Sequence, residues 1–473
     1  MNYNDTIVAP ATPPGRGAIA MVRISGPKAI EIADSIWKGK PLANAASHTA
    51  HLGYIVNSHN DNEIIDQALA TIFKAPATFT GEDMVEFGLH GSSLITMQVI
   101  AALTEKGARP AGPGEFSQRA VANGRMSLVS AEAAADLVAA TSKAAQRIAM
   151  SQMRGGVDNQ LRQMQQKLLK LASLLELELD FSEEDVEFAP RSELLQLALS
   201  IQAHLTKLQS SYRTGTSIKQ GIPVAIIGAT NAGKSSLLNI LAEDERAIVS
   251  DIHGTTRDVV EDSIEIGQYL FRFMDTAGLR DTEDPIEQIG IEHSFRALSK
   301  ARIVLFVTDI TTPLADDILK NAQQSIAEDA TLILLRNKID KLASAAEITP
   351  LPADTVIDNT PTIKTIDISA KTTEGIDELK AYMCEIIEKE EQSGGDILLT
   401  NERHYACVTQ ALESLKVVIS QLQSTAEDSM YATPDLIAQT IREVIAPLSE
   451  LTGQSLQTPA ILQNIFSHFC VGK

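Results

Sequence analysis

The run from Val224 to Ser235 constrains the fold of this 473-residue chain more than any other: four apolar residues, then Gly228-Ala229-Thr230-Asn231-Ala232-Gly233-Lys234-Ser235. A strand must feed directly into a loop with a glycine at each end, and a helix over 236–242 must follow. Such a loop turns backbone N–H groups toward one point, and the helix dipole adds positive potential there. The result is a cradle for phosphate, with Lys234 as a point charge and the Ser235 hydroxyl able to bind Mg²⁺. The surrounding sequence agrees. Between 221 and 388, apolar runs at 224–227, 303–307, 332–335 and 365–368 alternate with helical segments, which predicts βαβ units and a mainly parallel sheet.

Three further motifs sit at the C-terminal ends of expected strands, where ligands of open parallel sheets gather. In Asp275-Thr276-Ala277-Gly278 an acid can hold Mg²⁺ through water, and a glycine N–H can sense a γ-phosphate. In Asn337-Lys338-Ile339-Asp340 a carboxylate can accept from the ring N–H and the exocyclic amine of guanine together, a donor pair that adenine lacks. Ser369-Ala370-Lys371 suits a backbone contact to the guanine oxygen. In this order the four motifs specify GTP rather than ATP. Position 279 is Leu, where Ras-type GTPases place a water-orienting glutamine, so another residue must do that work.

The rest of the chain has two other textures. Residues 1–122 mix short strands with Gly and Pro turns, including runs at 17–26 and 84–87, and helical spacing at 27–38 and 93–106; an α+β domain is expected. From about 127 to 213 the pattern is helical. Leu161, Met164, Leu168, Leu171, Leu175 and Leu179 form one stripe, and Leu194, Leu197, Ile201, Leu205 and Leu208 another. One or two long amphipathic helices cannot bury such stripes alone, so they require the helical segments near 402–423, 434–451 and 459–469. The expected architecture is multidomain α/β: a front domain (1–122), a helical bundle in two pieces (123–215 and 389–473), and a Ras-like GTPase domain (216–388) inserted between them.

With 40 basic and 61 acidic residues the net charge is −21, which argues against wrapping nucleic acid by bulk charge. Seven acids and no base lie between Lys170 and Arg191, either a solvated helix end or a dock for a basic partner. Cys384, Cys407 and Cys470 form no paired pattern, and the N-terminal residues lack signal-peptide character; a reducing cytoplasm and no membrane span are expected. Cys-Val-Gly-Lys fails as a prenylation site, because Gly replaces an aliphatic residue. His90 and His253 have no metal-ligand spacing.

At the segment Ser250, Asp251, Ile252, His253, Gly254, Thr255, Thr256, together with Asn231 in the phosphate loop, the chain closely resembles one family. It is similar to the TrmE (MnmE) tRNA-modification GTPases, of the TrmE-Era-Era-like class. The likeness extends to Pro13-Pro14-Gly15-Arg16-Gly17, Phe79-Thr80-Gly81-Glu82-Asp83, Pro113-Gly114-Glu115-Phe116 and the tail Phe469-Cys470-Val471-Gly472-Lys473.

The resemblance implies a GTP site spanning 231–236, 250–256, 275–278, 337–340 and 369–371, with Ser236 and Thr276 among its contacts. It implies a K⁺ site at Asn231, Ser250, Ile252 and Thr255, Mg²⁺ ligands at Ser235 and Thr256, and a water-orienting glutamate at Glu287. In the front domain it implies a tetrahydrofolate derivative (5-formyl or methylene) held by Arg23, Glu82, Arg125 and Lys473. Cys470 is then a functional thiol near the folate. The family usually has Thr at 250 and Lys at 125. Implied partners are a second copy of the chain, the FAD-containing protein MnmG in a two-plus-two heterotetramer, and tRNA reached mainly through MnmG. The implied reaction adds an aminomethyl-type group to carbon five of the wobble uridine. A ribosome-assembly switch of the Era or Der kind is the competing expectation, and the absence of a visible basic RNA-binding module disfavours it.

Overall fold

The computed structural model describes residues 4–57, 63–180, 190–243, 261–275, 297–312, 325–327, 329–342, 364–394, 397–424, 433–453, 465–466, 469 and 472. The chain forms two compact units: Met1–Val138 with Met150–Ile201 and Gln410–Lys473, and Ala139–Ala149 with Gln202–Thr409.

The first unit contains a seven-stranded sheet built from β1 (Ile7–Pro10), β2 (Ile19–Ser25), β3 (Trp37–Lys38), β4 (Thr49–Asn57), β5 (Glu63–Phe73), β6 (Met84–His90) and β7 (Arg109–Pro110). Their order is β3-β4-β5-β6-β2-β1-β7, antiparallel throughout except for the β1–β7 pair. Alternation aims Val22, Ile24, Ala68, Ala70, Ile72, Val85 and Phe87 inward, where they pack with Ile32 of α1 (Ala29–Ser35) and Val99 and Leu103 of α2 (Ser93–Glu105). The short α3 (Glu115–Ala122) carries the buried Phe116 and Arg119.

The two expected stripes fall on two long helices, and two shorter helices precede them. The helical stretch comprises α4 (Leu128–Ala139), α5 (Lys143–Met153), α6 (Gly156–Asp180) and α7 (Arg191–Gln220). The break before α5 is a cap, in which the Ala145 N–H donates to Ser142 Oγ at 3.2 Å. The stripe on α6 finds the partner its pattern required. Leu161, Leu168 and Leu171 are buried, as are Ile441, Val444 and Leu448 of the helix Pro434–Thr452 that packs beside it. Gln165 Nε2 donates to Ser449 Oγ across this pair at 3.2 Å.

The second unit holds a six-stranded sheet: β8 (Ile222–Gly228), β9 (Glu261–Ile266), β10 (Tyr269–Asp275), β11 (Ile303–Asp309), β12 (Thr331–Asn337) and β13 (Lys364–Ile368). The order is β13-β12-β11-β8-β10-β9, parallel except for the edge strand β9. Both faces are covered, so the inner strands are apolar at almost every position. On one face Val224, Ile226, Leu305 and Ile333 pack with Leu237 of α8 (Lys234–Glu243) and Leu379 and Met383 of the helix Ile376–Gly394. On the other, Ile227, Phe306 and Leu334 pack with Leu298.

Candidate functional site

The C-terminal ends of β8, β11, β12 and β13 lie side by side, and the loops that leave them form one cluster. The loop after β8 is held against the start of the next motif. A Cβ on Gly233 would stand 2.1 Å from Asn337 Nδ2, so only glycine permits this approach. Lys234 Nζ donates to the carbonyls of Gly228 (2.8 Å) and Ala229 (3.0 Å), which places the amine over the loop. Ser235 and Ser236 are exposed on the first turn of α8, while Ala232 is buried. Asn231 has φ of 64°, a left-handed conformation that asparagine tolerates, and its side chain is exposed.

Asn337 ties the cluster together. It is 1% exposed; Nδ2 donates to the Ala232 carbonyl at 2.8 Å, and Oδ1 accepts from the N–H groups of Lys338 (2.8 Å) and Ala370 (2.9 Å). One buried amide thus fixes the phosphate loop, its own turn and the loop after β13. Within Ser369-Ala370-Lys371, the segment expected to offer a backbone contact to guanine, the Ala370 N–H serves this internal bond. Asp340, on the short turn Ile339–Lys341, is exposed, and its Oδ1 accepts from Ser369 Oγ at 2.7 Å. Ser369 Oγ in turn accepts from the Lys371 N–H at 3.3 Å. The carboxylate that would read guanine is held in place before any base arrives.

Sequence reasoning missed Asp309. It ends β11 in register with Asn337, and its Oδ2 accepts from Lys338 Nζ at 2.7 Å; the same Nζ donates to the Asn231 carbonyl at 2.6 Å. Burial works against the charge on Asp309, but bonds from Lys338 and from the Thr311 hydroxyl and N–H hold its carboxyl at about 2, below the usual 3.8. A depressed carboxyl stabilises the fold above the unfolded pKa, and that contribution is lost as pH falls through about 2. Asp309→Asn is therefore expected to cost about 2 kcal/mol at pH 7 and roughly half of that at pH 3. Urea denaturation at the two pH values measures it, and an equal cost at both would refute the ion pair.

Several expected site residues lie outside the described residues: Ser250, Asp251, Ile252, His253, Gly254, Thr255, Thr256, Thr276, Ala277, Gly278, Glu287, Cys470 and Lys473. Asp275 is the last residue of β10.

In the front sheet, Arg23 on β2 is no surface charge. Its Nε and Nη2 each lie 2.7 Å from Glu86 Oε1, and Nη1 donates to the Gly472 carbonyl at 3.2 Å. Glu82 accepts from Ser25 Oγ (2.8 Å) and from Arg119 Nη1 (3.2 Å). Because Ser25 spends its proton on Glu82, the 2.7 Å bond between Ser25 and Thr80 must be donated by Thr80. Arg125 is exposed and donates to the Thr78 carbonyl at 3.2 Å. Arg119, also missed, is 1% exposed and binds Asp5, Glu82 and Glu115. Burial opposes its charge, but Glu82, Glu115 and Asp5 outweigh that and raise its pKa. His90, which has no metal-ligand spacing, lies with its Nδ1 2.7 Å from the buried Asp66 carboxylate. Among the described residues no cluster of three or more His, Cys, Asp or Glu could hold a metal ion, and no helix is long and apolar enough to cross a membrane.

A parallel sheet with a glycine loop feeding a helix, and an Asn-Lys-x-Asp turn locked to that loop, defines a P-loop GTPase. The profile of the MnmE helical domain matches residues 128–470, and that of the GTP-binding protein TrmE N-terminus matches 6–125. A tRNA modification GTPase MnmE of Parabacteroides distasonis is 46% identical over 99% of this chain and 100% of its own length. Those of Porphyromonas gingivalis (45%, covering 99% and 98%) and Cytophaga hutchinsonii (42%, covering 100% and 98%) are similar along their whole lengths too. The chain belongs to the MnmE family of tRNA modification GTPases and is a GTP hydrolase.

Proposed function

We propose that this protein is a K⁺-activated GTPase that acts with MnmG to place an aminomethyl or carboxymethylaminomethyl group on carbon five of the wobble uridine of certain tRNAs. The domains are those of the sequence reading: 1–122 for folate and dimer contacts, 216–388 for GTP, and helical pieces at 123–215 and 389–473. The observation that carries the proposal is the joining, in one chain, of a locked guanine-type turn and a front domain in which the buried Ser25 and Arg119 converge on Glu82 while Arg23 holds Glu86 and the Gly472 carbonyl. A switch without modification chemistry has no use for the second.

Glu82 presents a carboxylate to the amine and ring donors of a pterin, while Arg23, Arg125 and Lys473 offer positive charge to the glutamate tail. Ser235, Thr256, Asn231, Ser250, Ile252 and Thr255 offer oxygen ligands, a donor set that suits Mg²⁺ and K⁺. When bound, these ions supply positive charge to the phosphates and to the transition state of hydrolysis. Glu287 orients the attacking water in place of the glutamine that Leu279 excludes. Hydrolysis drives conformational change, and no phosphoryl group passes to RNA. The folate supplies the one-carbon unit, MnmG brings FAD and most of the tRNA contact, and the complex is cytoplasmic with two copies of each chain.

Mass spectrometry of tRNA nucleosides from a deletion strain tests the proposal. Loss of the modified wobble uridine is expected, with recovery on re-expression. Unchanged wobble uridines in the deletion strain would sink it.

A further inference from the structure

The C-terminal tail is seated on the first unit at three points. Phe466 is 1% exposed and clusters with Leu128 and Ala131. Phe469 stacks edge-on against it, with ring centroids 4.8 Å apart, and lies over Gly114, where an added Cβ would be 2.8 Å from Phe469 Cβ. Gly472 is buried, has φ of 94°, and would place a Cβ 2.0 Å from the Pro10 carbonyl oxygen. Its own carbonyl accepts from Arg23 Nη1. No side chain fits at 472: the contact is with backbone, which cannot yield as a flexible side chain could, and the φ value alone would strain any L residue.

Arg23 has a second property. Among the described residues its Nε donates to Glu86 and its Nη1 to Gly472, Nη2 lies 2.7 Å from Glu86 Oε1, and its guanidinium lies 5.4 Å from the Phe79 ring and 5.7 Å from the Phe116 ring. A guanidinium carries five N–H donors, more than these contacts among the described residues need, so an anionic group can join Arg23 without displacing the tail. Each partner then orders the same guanidinium for the other.

We propose that Gly472 is a positioning residue that docks the C-terminal tail, and that Arg23 couples this docking positively to ligand binding in the front domain. The coupling presupposes the folate reading above; the docking does not. By linkage, whatever factor the docked tail adds to ligand affinity, the ligand must add to tail docking.

The test uses the full-length protein, wild type and Gly472→Ala, with 5-formyltetrahydrofolate as the probe. Hydrogen exchange of the C-terminal peptide reads docking, and calorimetry reads affinity. Gly472→Ala is expected to speed exchange of the tail about tenfold or more and to weaken probe binding about five- to tenfold. The probe should slow tail exchange in the wild type. GTP hydrolysis should be unchanged and reports that the variant is folded. Gly114→Ala, which keeps the tail's own sequence, should reproduce the faster exchange.

Tail exchange unaltered by both substitutions would overturn the docking role. Faster exchange with unaltered probe affinity would overturn the coupling. If the wild type binds no probe, the folate reading fails, and with it the coupling, while the exchange rates still decide the docking.

Discussion

Asp340→Asn is expected to weaken GTP binding by about 10²- to 10³-fold and to create affinity for xanthosine triphosphate. The carboxylate offers two acceptors to the ring N–H and the exocyclic amine of guanine. An amide keeps one acceptor and turns the other into a donor, which then faces the guanine amine and leaves both groups unpaired. Losing a charge-assisted bond costs roughly 1.5–3 kcal/mol, and stranding a donor adds about as much again. Xanthine carries a carbonyl where guanine carries the amine, so the same substitution should match it. The bond from Ser369 Oγ to Asp340 Oδ1 can be kept by the amide oxygen, and the Asn337 network does not include Asp340, so the fold should survive. Titration of both nucleotides against wild type and variant measures the exchange. Undiminished GTP affinity in the variant would remove Asp340 from the guanine site.

The parallel strands of the second unit were legible because both faces are buried, leaving near-continuous apolar runs bounded by polar residues. The Asn337–Asp340 motif was legible because its chemistry is local. Asp309 was not: a single acid at a strand end looks like any turn residue. Only the sheet register that sets it beside Asn337 brings it to Lys338. Arg119 was hidden for a related reason. Within α3 only the i,i+4 partner Glu115 is local; the carboxylates at positions 5 and 82 that converge on Arg119 are long-range and leave no signature in the eight residues of the helix. The β4–β5 hairpin escaped notice because its inward positions include Ala68 and Ala70, while Leu69 is 50% exposed, which inverts the usual hydrophobic alternation. The amphipathic stripe on α6, by contrast, called for a partner helix, and the helix Pro434–Thr452 meets it from far along the chain.

Hydrolysis carries the other large effect. With Leu at 279 no side chain there can hold water, and the phosphate loop presents Asn231 with its side chain outward. On the proposed K⁺ reading, GTP turnover is therefore expected to be much faster in KCl than in NaCl at equal ionic strength, because Na⁺ is smaller and would leave a ring of oxygens sized for K⁺ underfilled. A loop carrying such a ring is easiest to order when two GTPase domains face each other, so the rate per molecule should rise with protein concentration. Asn231→Ala should abolish the salt difference. Because Asn231 sits at φ of 64°, alanine also strains the loop, and Asn231→Gly supplies the control that removes the carboxamide without that strain. Glu287→Ala should slow hydrolysis by on the order of 10²-fold or more with GTP affinity retained, since a residue that positions water does not touch the ground-state nucleotide. Single-turnover rates and nucleotide affinity, measured in both salts, separate these effects. Equal rates in KCl and NaCl would overturn the cation argument. A Glu287→Ala protein that lost GTP affinity in proportion to its rate would show that Glu287 contributes binding and not water positioning.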